Sequence, residues 1–345
     1  MCSVNYKPEY SIREALLPIW QRVLQRTSIH STDNFFDLGG TASSAATLFE
    51  EIAKAFGRDL PAIMICAAPT IETLAGLLEE PAPPRIPPLL LLKAGADDPP
   101  VFMTHGLGGD VLGLCDLVGK IESRHPIYGL QARGIDGVDE PIPSIEARAQ
   151  FHLDAIRQLQ PHGPYFLIGY SLGGLEMLEL AHRLSVDGEK IALLALLDTY
   201  PDKNYLSMVQ RTLLSLRQNR RRAENVIGSA LRRTGAARSG NGDRPTQDQL
   251  SASRAQVTQR MREADFSASR SYRPRFYSGR VKFVRAEINS YFPKNPTAVW
   301  ARLIMDFEVA TTPGDHVGML TTRCTDLGSL LSKYLREAVA DGSGG

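Results

Sequence analysis

Between residues 80 and 89 the chain reads Pro81-Ala82-Pro83-Pro84-Arg85-Ile86-Pro87-Pro88, and neither a helix nor a central strand can run through it. Each proline fixes its own φ and brings no backbone N–H, so a cluster of them breaks hydrogen-bonded ladders and favours an extended, semi-stiff spacer. A chain of 345 residues cut at that point becomes two folding units, a short one at 1–80 and a long one at 91–340, joined by a spacer at 81–90. With 43% hydrophobic and 22% charged residues there is enough apolar material to give both units a core.

The short unit reads as helices. Ile12, Ala15, Leu16, Ile19, Trp20, Val23 and Leu24 recur at spacings of three and four, which puts them on one helix face. A second such run, Ala45, Leu48, Phe49, Ile52, Ala53 and Phe56, stops at Gly57, a residue suited to a helix C-terminus. Thr70 suits the cap of a last helix ending near Leu78. The expectation is a small all-α bundle.

The loop before the second helix, Asp33-Asn34-Phe35-Phe36-Asp37-Leu38-Gly39-Gly40-Thr41-Ala42, resembles the prosthetic-group site of a peptidyl carrier protein from a non-ribosomal peptide synthetase. The resemblance implies a serine two residues after the Gly-Gly pair, carrying 4′-phosphopantetheine as a phosphodiester. Ala42 stands there, and a methyl group cannot form that bond. Three explanations are open: a natural loss, a deliberate Ser→Ala change, and a site moved to Ser43, about 100° further round the helix. A form with serine at this position would also imply a phosphopantetheinyl transferase as partner.

After the prolines, short apolar runs alternate with helical patterns: Pro100–Thr104, Pro126–Leu130, Tyr165–Gly169, Ile191–Leu197, Val281–Arg285 and Asp306–Thr311. That alternation predicts an α/β unit with a mainly parallel sheet. Residues 203–275 interrupt it, polar and turn-prone at Ser239-Gly240-Asn241-Gly242-Asp243, and are expected to be a helical insertion with a mobile centre. The last residues, Asp341-Gly342-Ser343-Gly344-Gly345, are expected to be a disordered tail.

Gly169-Tyr170-Ser171-Leu172-Gly173 is framed by an apolar strand, Tyr165–Ile168, and by Leu175, Leu178, Ala181 and Leu184 at helical spacing. In that context it matches the nucleophile elbow of α/β-hydrolases, a serine on a strained strand-to-helix turn with glycines where strand and helix approach. A serine hydroxyl needs a base to take its proton. Two histidines follow Ser171, and His182 lies about 16 Å along the exit helix. This leaves His316, in Pro313-Gly314-Asp315-His316. The acid is expected at Asp198, at the end of the run Ile191–Leu197, to orient the imidazole and stabilise its charged form. Asp202 and Asp315 are its rivals, and Asp315 adjoins His316 too closely to reach around its ring. The turn His105-Gly106-Leu107-Gly108-Gly109 is expected to supply the backbone N–H of Leu107 which, with that of Leu172, forms an oxyanion hole. His105 comes too early in the chain order to be the base and reads as structural.

Gly169–Gly173, the Leu-Leu-Asp-Thr-Tyr-Pro run around Asp198, the His-Gly-Leu-Gly-Gly turn and Gly314-Asp315-His316 together resemble the thioesterase domain that ends many non-ribosomal peptide and polyketide synthases. The resemblance covers about 91–338, and carrier then thioesterase is that family's terminal order. It implies an α/β-hydrolase fold with its lid at about 203–275. The implied reaction moves an acyl or peptidyl chain from a phosphopantetheine thioester to Ser171, then releases it by hydrolysis or cyclisation. Upstream synthetase domains are the implied partners, and the implied chemistry needs no metal. Two other readings are a degenerate carrier–hydrolase interaction module and a stand-alone esterase with an incidental helical N-terminus.

The charge pattern narrows the partners. The net charge of +1 gives no overall pull toward nucleic acid or membrane, and no apolar run is long enough to span a bilayer. Between Arg211 and Arg275 fifteen arginines face five acidic residues, which reads either as an anion-attracting surface or as the solvated face of a lid helix. Only Phe266 and Tyr272 stand among those arginines, away from the dense runs Arg220-Arg221-Arg222 and Arg232-Arg233, so there is no row of aromatics to stack on bases and nucleic acid is not the expected partner. Met1–Lys7 lacks the apolar stretch of a secretory signal, and Cys2, Cys66, Cys115 and Cys324 lack CxxC spacing. They read as reduced thiols of a cytoplasmic protein.

Overall fold

The computed structural model describes residues 11–80, 85–206, 208, 211–212, 245–288 and 292–342. The Ser239–Asp243 turn expected at the mobile centre of the lid lies outside them, as do residues 1–10, Pro81–Pro84 and the three final residues of the expected tail.

The N-terminal helices are α1 (Ile12–Leu24), α2 (Ala42–Phe56), α3 (Met64–Ala67) and α4 (Ile71–Glu79). Capping boxes start three of them: Ser11 with Glu14, Thr41 with Ser44, and Thr70 with Thr73. Gly57, at φ 65°, ends α2 in the left-handed region. Leu16, Trp20, Phe35, Leu48, Phe49, Ile52 and Leu74 fill the centre, with the Trp20 and Phe35 rings edge to face at 5.2 Å. The Gly39-Gly40 pair has two separate causes. Gly39 has φ 93°, and a Cβ on Gly40 would lie 2.3 Å from the Phe35 ring.

The larger part is a seven-stranded sheet in the order β1-β3-β2-β4-β5-β6-β7. The strands are β1 (Leu89–Lys93), β2 (Val101–Thr104), β3 (Ile127–Leu130), β4 (Tyr165–Tyr170), β5 (Ile191–Leu197), β6 (Tyr277–Ile288) and β7 (Ile304–Asp315). All neighbours are parallel except β1, which pairs antiparallel to β3 from Leu89↔Leu130 onward. Leu89 and Leu90 therefore belong to the sheet and not to the spacer expected over 81–90, because pairing with β3 and burial of Leu90 outweigh the stiffness of the prolines before them.

Helices α6 (Ile145–Leu159) and α7 (Leu172–Val186) share one apolar cluster with the side chains on one face of the sheet. Helices α5 (Cys115–Val118) and α10 (Cys324–Gly342) belong with the other face. From Leu172 to Ala181 every residue of α7 is buried, so this helix is enclosed on all sides. The apolar cluster on the α5 side continues without a break into the N-terminal helices, where the thiols of Cys66 in α3 and Cys115 in α5 touch at 3.6 Å. Within the expected lid the chain forms a 3₁₀ turn at Lys203–Tyr205 and the helix α8 (Pro245–Ser271), while α9 (Pro296–Trp300) lies in the connection from β6 to β7.

The order β3-β2-β4 contains a topological switch. The chain leaves β2 toward β3 on one side, and β4 joins it on the other. Loops at the carboxyl ends of β2 and β4 thus face one crevice, where open parallel sheets bind and process ligands.

Candidate active site

Ser171 sits between β4 and α7 at φ 54° and ψ −120°, a left-handed conformation that costs on the order of 1–3 kcal/mol for a non-glycine residue. Close packing holds it there. A Cβ on Gly169 would lie 2.5 Å from the Gly174 Cα, and one on Gly173 would lie 2.1 Å from the His105 carbonyl oxygen. These contacts are the physical reason for glycines on either side of the serine. The Ser171 N–H donates to the Leu197 carbonyl at 2.8 Å, tying the turn to the end of β5.

Asp198 follows β5 directly and is likewise left-handed, at φ 46°. Its side chain is buried, and Oδ1 accepts the Ala286 N–H from β6 at 3.3 Å. Its other oxygen meets His316 Nδ1 at 2.8 Å, and His316 Nε2 meets Ser171 Oγ at 3.0 Å. The three side chains nominated from the sequence, separated by up to 145 positions, form one hydrogen-bonded line. The imidazole stacks on Tyr170 at 4.8 Å and takes Phe292 against its edge at 5.1 Å. The Tyr170 hydroxyl donates to the His316 carbonyl at 2.7 Å. Burial, then the charges of Asp198 and Asp315, push the Tyr170 phenol far above its ordinary pKa, which keeps it a donor.

Asp315, one rival for the acid, accepts the Gly318 N–H at 2.7 Å and makes no bond to the imidazole ring. Asp202 accepts the Tyr205 N–H through its main-chain oxygen, at the start of the 3₁₀ turn. The turn after β2 runs against Ser171: a Cβ on Gly106 would come within 3.3 Å of the Ser171 Cβ. Leu107 lies in this turn, and Leu172 is the first residue of α7. His105 is buried, with Nδ1 on the Gly106 carbonyl at 2.6 Å, and burial lowers its pKa.

Behind this turn lies a buried charged cluster that sequence reasoning did not reach. Arg148 of α6 pairs with Asp265 of α8 at 2.7 Å, and the other Asp265 oxygen accepts the Gly108 N–H at 2.7 Å. His152 of α6 pairs with Glu176 of α7, both buried, and passes its Nε2 to the Gln131 carbonyl at 3.0 Å. Burial opposes the charge on His152, but Glu176 outweighs it and raises the pKa; the reciprocal pairing holds Glu176 below its usual range. One signal was present in the sequence: Arg148 and His152 fall in the same stripe of α6 as Ile145, Ala149 and Leu153. Polar residues at apolar phase need buried partners.

At the N-terminal part, Ala42 heads α2 with its N–H 3.4 Å from Asp116 of α5. Ser43 is exposed at the next position, and the Ser44 hydroxyl is committed to the capping box with Thr41.

A parallel sheet with a strained serine after one strand, an aspartate after the next and a histidine after the last defines the α/β-hydrolase class. The family model "Thioesterase domain" matches residues 99–335, and the chain belongs to that family. A second model, "Phosphopantetheine attachment site", matches residues 14–78, the helical part. Among curated proteins, a dimodular nonribosomal peptide synthase of Bacillus subtilis (strain 168) is 37% identical over 196 residues, covering 56% of this chain and 8% of the synthase. The chain therefore spans a small fraction of the curated relatives it matches. A crystal structure of a four-domain nonribosomal peptide synthetase bound to AMP and glycine aligns with 96% of this chain and 27% of its own, at TM-score 0.58 and 20% identity. The NocB thioesterase domain, in covalent complex with a fluorophosphonate nocardicin G analog, aligns with 70% of this chain and 96% of its own, at TM-score 0.51 and 20% identity. At such identities the solved structures show the shared fold. Among the described residues no helix is long and apolar enough to cross a membrane.

Proposed function

We propose that the chain is the terminal release unit of a nonribosomal peptide synthetase, a carrier domain at about 1–80 followed by a serine-dependent thioesterase domain from about 89 onward. The observation that carries this reading is the line Asp198–His316–Ser171, with hydrogen bonds of 2.8 and 3.0 Å, at the carboxyl edge of the sheet. His316 takes the Ser171 proton as Oγ attacks the carbonyl carbon of an acyl thioester. The oxyanion is held by the N–H groups of Leu107 and Leu172. As the tetrahedral species collapses, the C–S bond breaks and His316 returns the proton to the leaving thiol. Water, or a nucleophile within the acyl chain, then attacks the ester with His316 again as base, and Ser171 recovers its proton. Asp198 keeps the imidazole in the correct tautomer and stabilises its charged form. Hydrolysis is the default outcome, and cyclisation uses the same groups.

The residues at the head of α2 do not fit covalent attachment of phosphopantetheine at position 42. Ala42 offers no hydroxyl, and the Ser44 hydroxyl is spent on the helix cap. The substrate is therefore an acyl or peptidyl thioester supplied from outside this chain. Upstream synthetase domains are its source, and a phosphopantetheinyl transferase becomes a partner only for a form with serine at 42. The buried free thiols of Cys66, Cys115 and Cys324 suit a reducing, cytoplasmic setting.

Turnover of an acyl-pantetheine thioester, followed through the thiol released, tests the reading. The full chain is expected to turn it over faster than a simple ester of the same acyl group, and Ser171→Ala to abolish it. Undiminished release by Ser171→Ala would contradict the mechanism; equal use of both substrates would favour a general esterase.

A further inference from the structure

Gly108 and Gly109 have φ of 99° and 82°, so the turn after β2 is built from two left-handed residues that nothing in their own side chains stabilises. Its shape is held from outside on two sides, by Gln131, whose Nε2 donates to the Gly109 carbonyl at 2.6 Å, and by the lid helix α8. A Cβ on Gly109 would come within 2.4 Å of the Met261 methyl, which places α8 directly over the turn. One helical turn further, Asp265 is fully buried and accepts the Gly108 N–H at 2.7 Å. Its second oxygen is held by Arg148 at 2.7 Å, and Arg148 is itself anchored through Nε to the Ile142 carbonyl at 2.6 Å.

From this geometry we infer that Asp265 is a positioning residue for acyl transfer: it latches the lid helix to the turn that presents the Leu107 N–H. The inference rests on the assignment of Ser171 and Leu107 made above. Gly108 follows Leu107 directly, so the peptide unit on the far side of Leu107 is fixed by a charge-assisted bond to the lid. Arg148 holds the carboxylate at its bonding position. When α8 lifts, Gly108 loses its acceptor, and the turn is left tied only on its Gly109 side, to Gln131. The oxyanion donor is thus in place only while the lid lies closed, which ties the chemical step to enclosure of the substrate.

The test measures the rate at which a fluorophosphonate labels Ser171 in the full chain, with thermal stability measured in parallel. Asp265→Ala is expected to slow labelling at saturating probe by about a hundredfold, the scale on which small misplacements act, with little change in half-saturating concentration. Because it strands Arg148 as a buried charge, two double variants keep the test clear of folding defects. Arg148→Met with Asp265→Ala removes both charges, while Arg148→Met with Asp265→Asn keeps an oxygen for Gly108. Both are expected to fold. Only the asparagine double variant should recover a labelling rate near that of the parent chain. Equal rates in the two doubles overturn the latch and leave Asp265 a structural ion-pair partner. Failure of the parent chain to label overturns the Ser171 assignment, and the latch with it.

Discussion

Replacing Asp198 by asparagine tests the charge relationship at the centre of the site. The substitution preserves the shape of the side chain and its acceptor for the Ala286 N–H, and it removes one charge. Before acylation the exchange removes the carboxylate acceptor that sets the tautomer of His316. In the transition state for acylation His316 becomes an imidazolium whose Nδ1 lies 2.8 Å from the Asp198 oxygen. Taking about 4 Å between the charge centres and an effective dielectric of about 20, the lost attraction is about 4 kcal/mol. That is about a thousandfold in rate. Since the imidazolium forms only on the way to the acyl-enzyme, the loss is expected in kcat, with KM close to that of the parent chain. The assay is steady-state turnover of an acyl-pantetheine thioester, with a melting curve to establish that the variant is folded. A folded Asp198→Asn enzyme that keeps more than a tenth of the parent kcat would refute the role given to Asp198.

Three further outcomes follow from other parts of the molecule. Ala42→Ser, incubated with a phosphopantetheinyl transferase and coenzyme A, is expected to gain one phosphopantetheine by intact mass and the parent chain none; a gain in the parent chain would move the site to Ser43. Gly174→Ala would place a Cβ 1.9 Å from the Thr199 hydroxyl, so a loss of about 1–3 kcal/mol is expected in denaturant titration, recovered in part by adding Thr199→Ala; an unchanged midpoint would show that the α7–β5 contact is looser than described. His152 has its pKa raised by Glu176 above the ordinary 6.5, so its pairing contributes fully below that pH and fades as pH rises through the folded value. The melting-temperature gap between the parent chain and His152→Gln should therefore narrow from about pH 6 toward about pH 9, and a constant gap would contradict the charged pair.

The sequence was most readable where structure is local. The apolar runs Tyr165–Gly169 and Ile191–Leu197 lie in β4 and β5, and Gly57 and Thr70 cap the helices they were expected to cap. The short run Val281–Arg285 marks only the middle of β6, because its ends pair with β7 through alternating, partly exposed residues that carry little apolar signal. Strand β1 went unrecognised behind the prolines. Its five residues have no periodicity to distinguish them, and only pairing with β3 makes them a strand. At the site, Ser171 and His316 could be nominated because motif and chain order restrict the choices. The pair Arg148–Asp265 could not, since 117 positions separate the partners and nothing near either names the other. Chemistry carried by a turn can be read from one stretch of chain; support carried by a buried ion pair exists only once the fold has brought two stretches together.

The central claim is that His316 activates Ser171. Peptide mapping of the full chain after treatment with a fluorophosphonate tests it most directly. The account predicts a single adduct on the peptide containing Ser171, and none when His316 is replaced by alanine in a chain that still melts cooperatively. An adduct on another residue, or undiminished labelling of Ser171 in His316→Ala, would contradict it.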